Sequence, residues 1–224
     1  AGVLTLSGPV NLGAGVDTVF YGPGNFNITS AIGASSAHIV KTNAGTFNTG
    51  STLILSNSAN AFSGGIRIDA GTVRVSNGGA LGTSTASNAI EFGNGTAGNA
   101  ILEIRTDAAN LASFSNKNVS TATNSGTIFV DRMIGGYGAS NLNQTVDFGA
   151  FTFSANNRAI VINGRNGYGF SIGTVGTNMA GNGAGNSTVQ TLTVNSLTTF
   201  DGNFTVGDAT AGRFLVASTL GDMV

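Results

Sequence analysis

Residues capable of acid–base chemistry are few in this 224-residue chain. It has one histidine, His38, and ten acids. The acids are Asp17, Asp69, Glu91, Glu103, Asp107, Asp131, Asp147, Asp201, Asp208 and Asp222. A glycoside hydrolase needs two acids roughly 5–9 Å apart, and Glu91 and Glu103 are candidates if they lie on neighbouring outward strands. Arg67 and Arg74 are predicted near them. We therefore expect a charged patch for solubility, or a weak ion pair, rather than a catalytic pair.

Other kinds of reactive site lack their partners. His38 cannot build a zinc site without a cysteine or a second histidine, and no G-x-S-x-G motif offers a nucleophilic serine. The glycine run 181–186 lacks the aspartate of calcium-binding repeats. The runs 135–138 and 164–169 lack the Lys-Ser/Thr ending of a phosphate loop. We predict no catalytic, cofactor-binding or metal site, and a turn or surface role for His38.

The composition excludes several classes of function. Charged residues make up 8% of the chain, the net charge is −1, and the nine basic residues are scattered, so a nucleic-acid surface is not expected. No apolar run approaches the roughly 18 residues of a membrane span. The chain has no cysteine, which excludes disulfides. With 35 glycines and 41% hydrophobic residues, it suits many short strands joined by tight turns.

Pairs of apolar residues two positions apart recur along the chain and predict short strands with one inward face. The pairs are Leu4/Leu6, Leu53/Leu55, Ile66/Ile68, Val73/Val75, Ile90/Phe92, Leu102/Ile104, Ile128/Val130, Val146/Phe148, Phe151/Phe153, Ile160/Ile162, Phe170/Ile172, Leu192/Val194, Phe204/Val206 and Phe214/Val216. The charged residues between some of them, Arg67, Arg74, Glu91 and Glu103, are predicted on the solvent face. Leu111 and Phe114 fit either a single helical turn or an irregular loop.

Two all-β architectures fit this pattern of short strands: a closed antiparallel barrel or sandwich, and a stacked solenoid. Very short strands and an excess of Asn, Thr and Ser favour the solenoid, with three short strands per coil and Gly/Asn corners. We predict an all-β, single-stranded parallel β-solenoid (β-helix) of about 9–10 coils, stacked about 4.8 Å apart and without a long helix. Residues 1–224 are predicted to form one continuous domain.

One segment, 51–77, carries a specific motif. It resembles the autotransporter-associated β-strand repeat, whose pattern runs G-T-L-x-L-S-G, N-x-[YF]-x-G-G, T-x-[VI] and A-G-T-[LV]-x-[VI]. The matching positions are Leu53, Leu55, Ser56, Asn60, Phe62, Gly64, Gly65, Ile68, Ala70, Gly71, Thr72, Val73 and Val75. Gly79–Gly82 resembles the usual sequel, and Ile39–Thr42 with Gly45-Thr46 resembles the lead-in. Residues 47–50 look like an insertion. Phe62 is predicted to fill an inside corner, beside a turn at Gly64-Gly65.

The resemblance implies a passenger-like solenoid, exported to the bacterial cell surface or the extracellular space, without catalytic residues or cofactors. Its function would be that of a stalk or adhesin segment, with a host, surface or glycan ligand. A self-assembling filament or sheath subunit is the alternative, and a polysaccharide-active solenoid enzyme is less expected. Both chain ends are apolar and nearly uncharged. We expect them to contact neighbouring coils, either of a longer array or of identical chains stacked head to tail.

Overall fold

The structure, a computed structural model, describes residues 2–43, 50–86, 89–93, 100–108, 111–122, 124–133, 144–153, 158–177, 188–194, 198–200, 204–205 and 212–218. Eighteen β-strands lie within these ranges. They are β1 Val3–Leu6, β2 Thr18–Tyr21, β3 Asn25–Ile28, β4 Ile39–Thr42, β5 Thr52–Leu55, β6 Ile66–Ile68, β7 Gly71–Val75, β8 Ile90–Phe92, β9 Ala100–Arg105, β10 Val119–Thr121, β11 Gly126–Asp131, β12 Thr145–Phe153, β13 Ala159–Gly164, β14 Gly169–Thr177, β15 Thr188–Val194, β16 Thr198–Phe200, β17 Phe204–Thr205 and β18 Gly212–Ser218.

The strands form two parallel sheets between which the chain alternates. The first sheet has the order β1-β3-β5-β7-β9-β11-β13-β15-β18, and the second β16-β14-β12-β10-β8-β6-β4-β2, with β17 also beside β14. Because nearly every strand pairs with the strand two places along the chain, each circuit of the chain adds one strand to each sheet. The predicted parallel β-solenoid is confirmed, and the nine strands of the first sheet correspond to nine coils.

Stacked aliphatic side chains form the core. In the first sheet, Leu53, Val73 and Leu102 occupy one inward column in register, and each is fully buried. The same column continues through Ile128 and Ile162. Alternation within a strand puts the intervening residues on the outer face. The predicted inward pairs are therefore confirmed by burial for the strands whose side chains the structure describes, except on β1, where Leu4 is exposed and Leu6 is half-buried.

The third side of each coil differs from the prediction of three strands. In the first coils this side has one isolated parallel bridge, between Val10 and Ile32, instead of a strand pair. The next coil is joined to it by single backbone hydrogen bonds, such as the 2.9 Å bond from Ala61 N to Ile32 O. Asn60 reinforces this side, since its buried amide accepts from Ile32 N and donates to Ala80 O. Further along, 3₁₀ turns at Gly78–Leu81 and Ala112–Phe114 take the place of a strand. The sequence left open whether Leu111 and Phe114 belong to a helical turn or to an irregular loop. They are buried at the second 3₁₀ turn, which packs on the core.

The Gly-Gly corner lies where the motif predicts it. Phe62 is fully buried in the core. A Cβ atom on Gly64 would lie 2.1 Å from the carbonyl oxygen of Ala37, so only glycine fits there. Gly65 has φ of 87°, a conformation that glycine adopts without strain. These contacts give the Phe62, Gly64 and Gly65 positions of the motif a steric reason.

Strand β12 is longer than predicted, because the two apolar pairs at 146–148 and 151–153 lie on one nine-residue strand. Phe148 and Phe151 both point inward although they are three residues apart, so the strand changes phase at Gly149-Ala150. Asn118 supports this change by accepting a 2.7 Å bond from Ala150 N. The inward Phe148 ring lies 5.8 Å from Phe114 and 6.2 Å from Phe170, centroid to centroid.

Candidate functional site

The outer face of the first sheet carries a ladder of unlike residues in register. Arg74 on β7 lies opposite Glu103 on β9, Glu103 lies opposite Phe129 on β11, and Phe129 lies opposite Asn163 on β13. Neighbouring strands are about 4.8 Å apart, so the side chains of this ladder are in reach of one another. The solenoid thus joins residues that lie 26 to 34 positions apart in sequence.

Ion pairs cross-link this ladder. Glu103 accepts from Arg74 Nε and from Arg105 Nε, both at 2.6 Å, and Arg105 Nη1 reaches Asp131 Oδ2 at 2.8 Å. The Glu103 side chain is only 10% exposed. The prediction that Arg74 and Glu103 point outward is confirmed, and so is their ion pair. The prediction that Glu103 is solvated is wrong, because its two arginines cover it.

An aromatic ring, Phe129, lies close to two guanidinium groups on this face. The guanidinium carbons of Arg105 and Arg165 lie 5.0 and 5.1 Å from the centroid of Phe129, within cation–π range. Arg105 also pairs with two carboxylates. Arg165 is exposed, and no ion pair joins it to another residue of the described part of the chain.

These side chains border an open groove of about 520 Å³. Its lining combines hydroxyl, apolar, aromatic and charged groups. The lining residues are Thr72, Ile101, Glu103, Thr127, Phe129, Asn163, Gly164 and Arg165. Its hydroxyl, amide and guanidinium groups lie beside two apolar side chains, a combination that suits a small polar ligand. Nothing in the local sequence signals it, because its residues come from four strands.

A second charged cluster lies on the side of the second sheet. His38 Nδ1 is 3.3 Å from Asp17 Oδ1, and Arg67 bridges Asp17 at 3.0 Å and Asp69 at 3.1 Å. Partial burial raises the pKa of Asp17, but the hydrogen bond from His38 N–H and the charge of Arg67 outweigh it, so the pKa lies below its usual value. His38 Nε2 is buried and has no hydrogen-bond partner in the described residues, so no serine hydroxyl completes a triad there.

The chain's two lysines, Lys41 and Lys117, are both buried, which the sequence reading missed. Lys41 points inward in the column of Phe20 and Ile68, and its Nζ donates to Thr42 O and Asn43 Oδ1, each at 2.8 Å. Burial lowers the pKa of Lys41 to about 8. Lys117 Nζ donates to Gly82 O at 2.7 Å, and burial lowers its pKa as well. Both ammonium groups therefore donate hydrogen bonds to backbone carbonyls at corners of the solenoid.

The acid pair considered from the sequence does not form. Glu91 lies on β8 in the second sheet and Glu103 on β9 in the first, so the expectation of neighbouring outward strands is wrong. Glu91 is instead opposite Arg67 in register. Among the described residues, no group of three or more His, Cys, Asp or Glu could hold a metal ion.

Several predicted features lie outside the described residues. They are Asp201, Asp208 and Asp222, the glycine runs 135–138 and 181–186, the lead-in Gly45-Thr46 and the insertion residues 47–49. Within the described ranges, no helix is long and apolar enough to cross a membrane.

Comparison with known proteins brings no match: no family model, no curated protein and no solved structure is significantly similar to this chain. The resemblance of 51–77 to the autotransporter-associated repeat therefore depends on the motif residues alone.

Proposed function

We propose that this chain is an extracellular structural or adhesive β-solenoid, a passenger-type stalk or adhesin segment displayed on a bacterial surface. The single observation that carries the proposal is the uninterrupted parallel ladder of the first sheet, nine strands over one apolar core. Stacked coils give length and stiffness and leave the outer faces of the sheets for ligands. The motif at 51–77, with its buried Phe62 and its Gly64-Gly65 corner, supports the passenger-type assignment.

Surface display can be tested on cells that produce the protein. Protease added to intact cells should remove the chain while leaving a cytoplasmic marker uncut, and antibodies against the purified chain should label unpermeabilised cells. Purified chain should appear in electron micrographs as short separate rods. A chain that is protected in intact cells and degraded only after lysis would contradict the proposal.

A second candidate function, a filament or sheath subunit that stacks head to tail, is favoured by the β1 edge. Leu4 belongs to the inward column, yet its side chain is 54% exposed while its column neighbours Leu53 and Val73 are fully buried. Val3 beside it is 60% exposed. Among the described strands β1 pairs with β3 alone, so its other edge carries backbone groups that no described strand pairs and that a further strand could bind.

A charged residue on this edge distinguishes the two candidates. If chains stack through β1, Leu4→Lys should shorten or abolish fibres, because the ammonium group would have to enter the core of the next coil. Thr5→Lys is the matched control, since Thr5 lies on the same strand and points outward. Light scattering and microscopy report the assembly. Monomeric wild-type rods would exclude the filament and leave the stalk.

A further inference from the structure

We propose that the groove on the outer face of the first sheet binds a carboxylate-bearing sugar, such as a uronic acid within an acidic polysaccharide. This inference rests on the proposed adhesive function and names its ligand class. In the proposed complex, Arg165 pairs with the sugar carboxylate, and Ile101 and Phe129 contact the apolar face of the ring. The groove is open to solvent and has a volume of about 520 Å³.

Charge favours an anionic ligand. The groove and its directly paired neighbours hold three guanidinium groups, on Arg74, Arg105 and Arg165, and two carboxylates, on Glu103 and Asp131. The first two arginines are neutralised by the carboxylates at 2.6 to 2.8 Å. Arg165 keeps its positive charge, lines the groove and is exposed. A guanidinium presents paired donors that match a carboxylate.

The remaining lining suits a polyhydroxylated ring. Thr72 and Thr127 lie in one outward column with Ile101 between them, so their hydroxyls are two coil steps, or about 10 Å, apart. Both threonines line the groove, and no hydrogen bond joins either hydroxyl to another residue in the described part of the chain. An apolar residue between two such hydroxyls can contact the C–H face of a sugar while the hydroxyls bond at its ends.

The same features argue against a polyphosphate such as nucleic acid. A protein that binds nucleic acid neutralises many phosphates with a row of basic groups. Here Arg165 is the single guanidinium of the groove and its paired neighbours that has no carboxylate partner among the described residues, so a second phosphate would meet no further unpaired cation. One negative charge on an otherwise neutral, hydroxyl-rich ligand fits the groove better.

The test measures binding of the whole purified chain to oligogalacturonate and to the matching neutral galactose oligomer by calorimetry. We expect saturable binding of the acidic oligomer that weakens as ionic strength rises, and at least tenfold weaker binding of the neutral one. Arg165→Gln should weaken binding of the acidic oligomer about tenfold or more, as expected for loss of a charge-assisted bond. Phe129→Ala should weaken both oligomers.

Arg67→Gln, on the other sheet, is the matched control and should leave binding unchanged. Melting curves must show that each variant folds; Arg165 is exposed, so its replacement should not unfold the chain. Equal binding of the two oligomers, or an Arg165→Gln affinity equal to that of wild type, would overturn the inference. If neither oligomer binds but intact cells still display the chain, this inference fails while the proposed stalk function stands.

Discussion

At the scale of single residues, the buried lysines are the least expected feature. Lysine is almost never fully buried unless its charge is compensated, and both lysines of this chain are buried. Among the described residues, the hydrogen-bond partners of Lys41 are both neutral oxygen acceptors, the carbonyl of Thr42 and the amide of Asn43. Burial therefore disfavours its charged form, and the stability of the fold should depend on pH.

We predict that the free energy of unfolding rises between about pH 8 and pH 10 because of Lys41. The folded lysine titrates near pH 8 and the unfolded one near its ordinary pKa of 10.5. Between these values the unfolded chain binds more protons, so raising the pH favours the folded state. Urea unfolding of wild type and Lys41→Met at pH 7.5 and 9.5 checks this. The variant should show a smaller rise; identical changes in both proteins would contradict the prediction.

A second residue-scale prediction concerns Phe62, whose ring fills the inside corner. Phe62→Ala should destabilise the fold by about 3–5 kcal/mol, since it removes a fully buried ring and leaves a cavity. Tyr21→Ala is the control: that ring is 58% exposed, and its loss should change stability by about 0.5 kcal/mol or less. Chemical denaturation measures both. Equal losses would mean that the corner is not packed as described.

Residue patterns could predict which side chains face inward, because a period of two assigns faces directly. They indicated that Arg74 lies near Glu103, but they could not predict the groove around Phe129, because the neighbours of Phe129 across the sheet, Glu103 and Asn163, lie whole coils away in sequence. Their contacts depend on the register between coils, and register depends on the length of every intervening corner.

At the scale of elements, corners decide where a strand can stop and turn. The prediction of three strands per coil failed on the third side, because the Gly78–Leu81 and Ala112–Phe114 segments form 3₁₀ turns. Asn77 caps the first of these turns by accepting from Ala80 N at 2.9 Å. Successive coils contact each other there through their turns; for example, Gly78 N donates to Ser113 Oγ at 3.0 Å. Such turns do not place apolar residues two positions apart, so the sequence pattern that predicts strands does not reveal them.

The Gly64 corner provides an element-scale prediction. Gly64→Ala should destabilise the fold by about 1–3 kcal/mol or more, because the new methyl group would overlap the Ala37 carbonyl of the preceding coil. Gly13→Ala is the matched control, since a Cβ there meets nothing within 4 Å. Thermal melting compares the two. A Gly64→Ala protein that melts with wild type would show that the coils are not in such close contact.

At the scale of the whole molecule, stability comes from repeated coil-to-coil contacts rather than from any special site. We predict that a chelator such as EDTA leaves the melting temperature unchanged, because no metal-binding cluster occurs in the described residues and stacked aliphatics form the core. Melting followed by circular dichroism, with and without chelator, is the check. A drop of several degrees would reveal a structural cation.

The unequal lengths of the coils have a consequence for how such a chain folds. Thr52 pairs with Thr72, 20 residues on, whereas Gly126 pairs with Ile160, 34 residues on. The entropy of closing a loop grows only with the logarithm of its length, so the longer circuit is disfavoured by well under 1 kcal/mol. A folding nucleus of two or three coils can therefore grow one coil at a time, and each added coil requires the closure of only one short chain loop. Because every strand pairing in the described part of the chain joins neighbouring coils, an insertion in a corner should slow this growth very little.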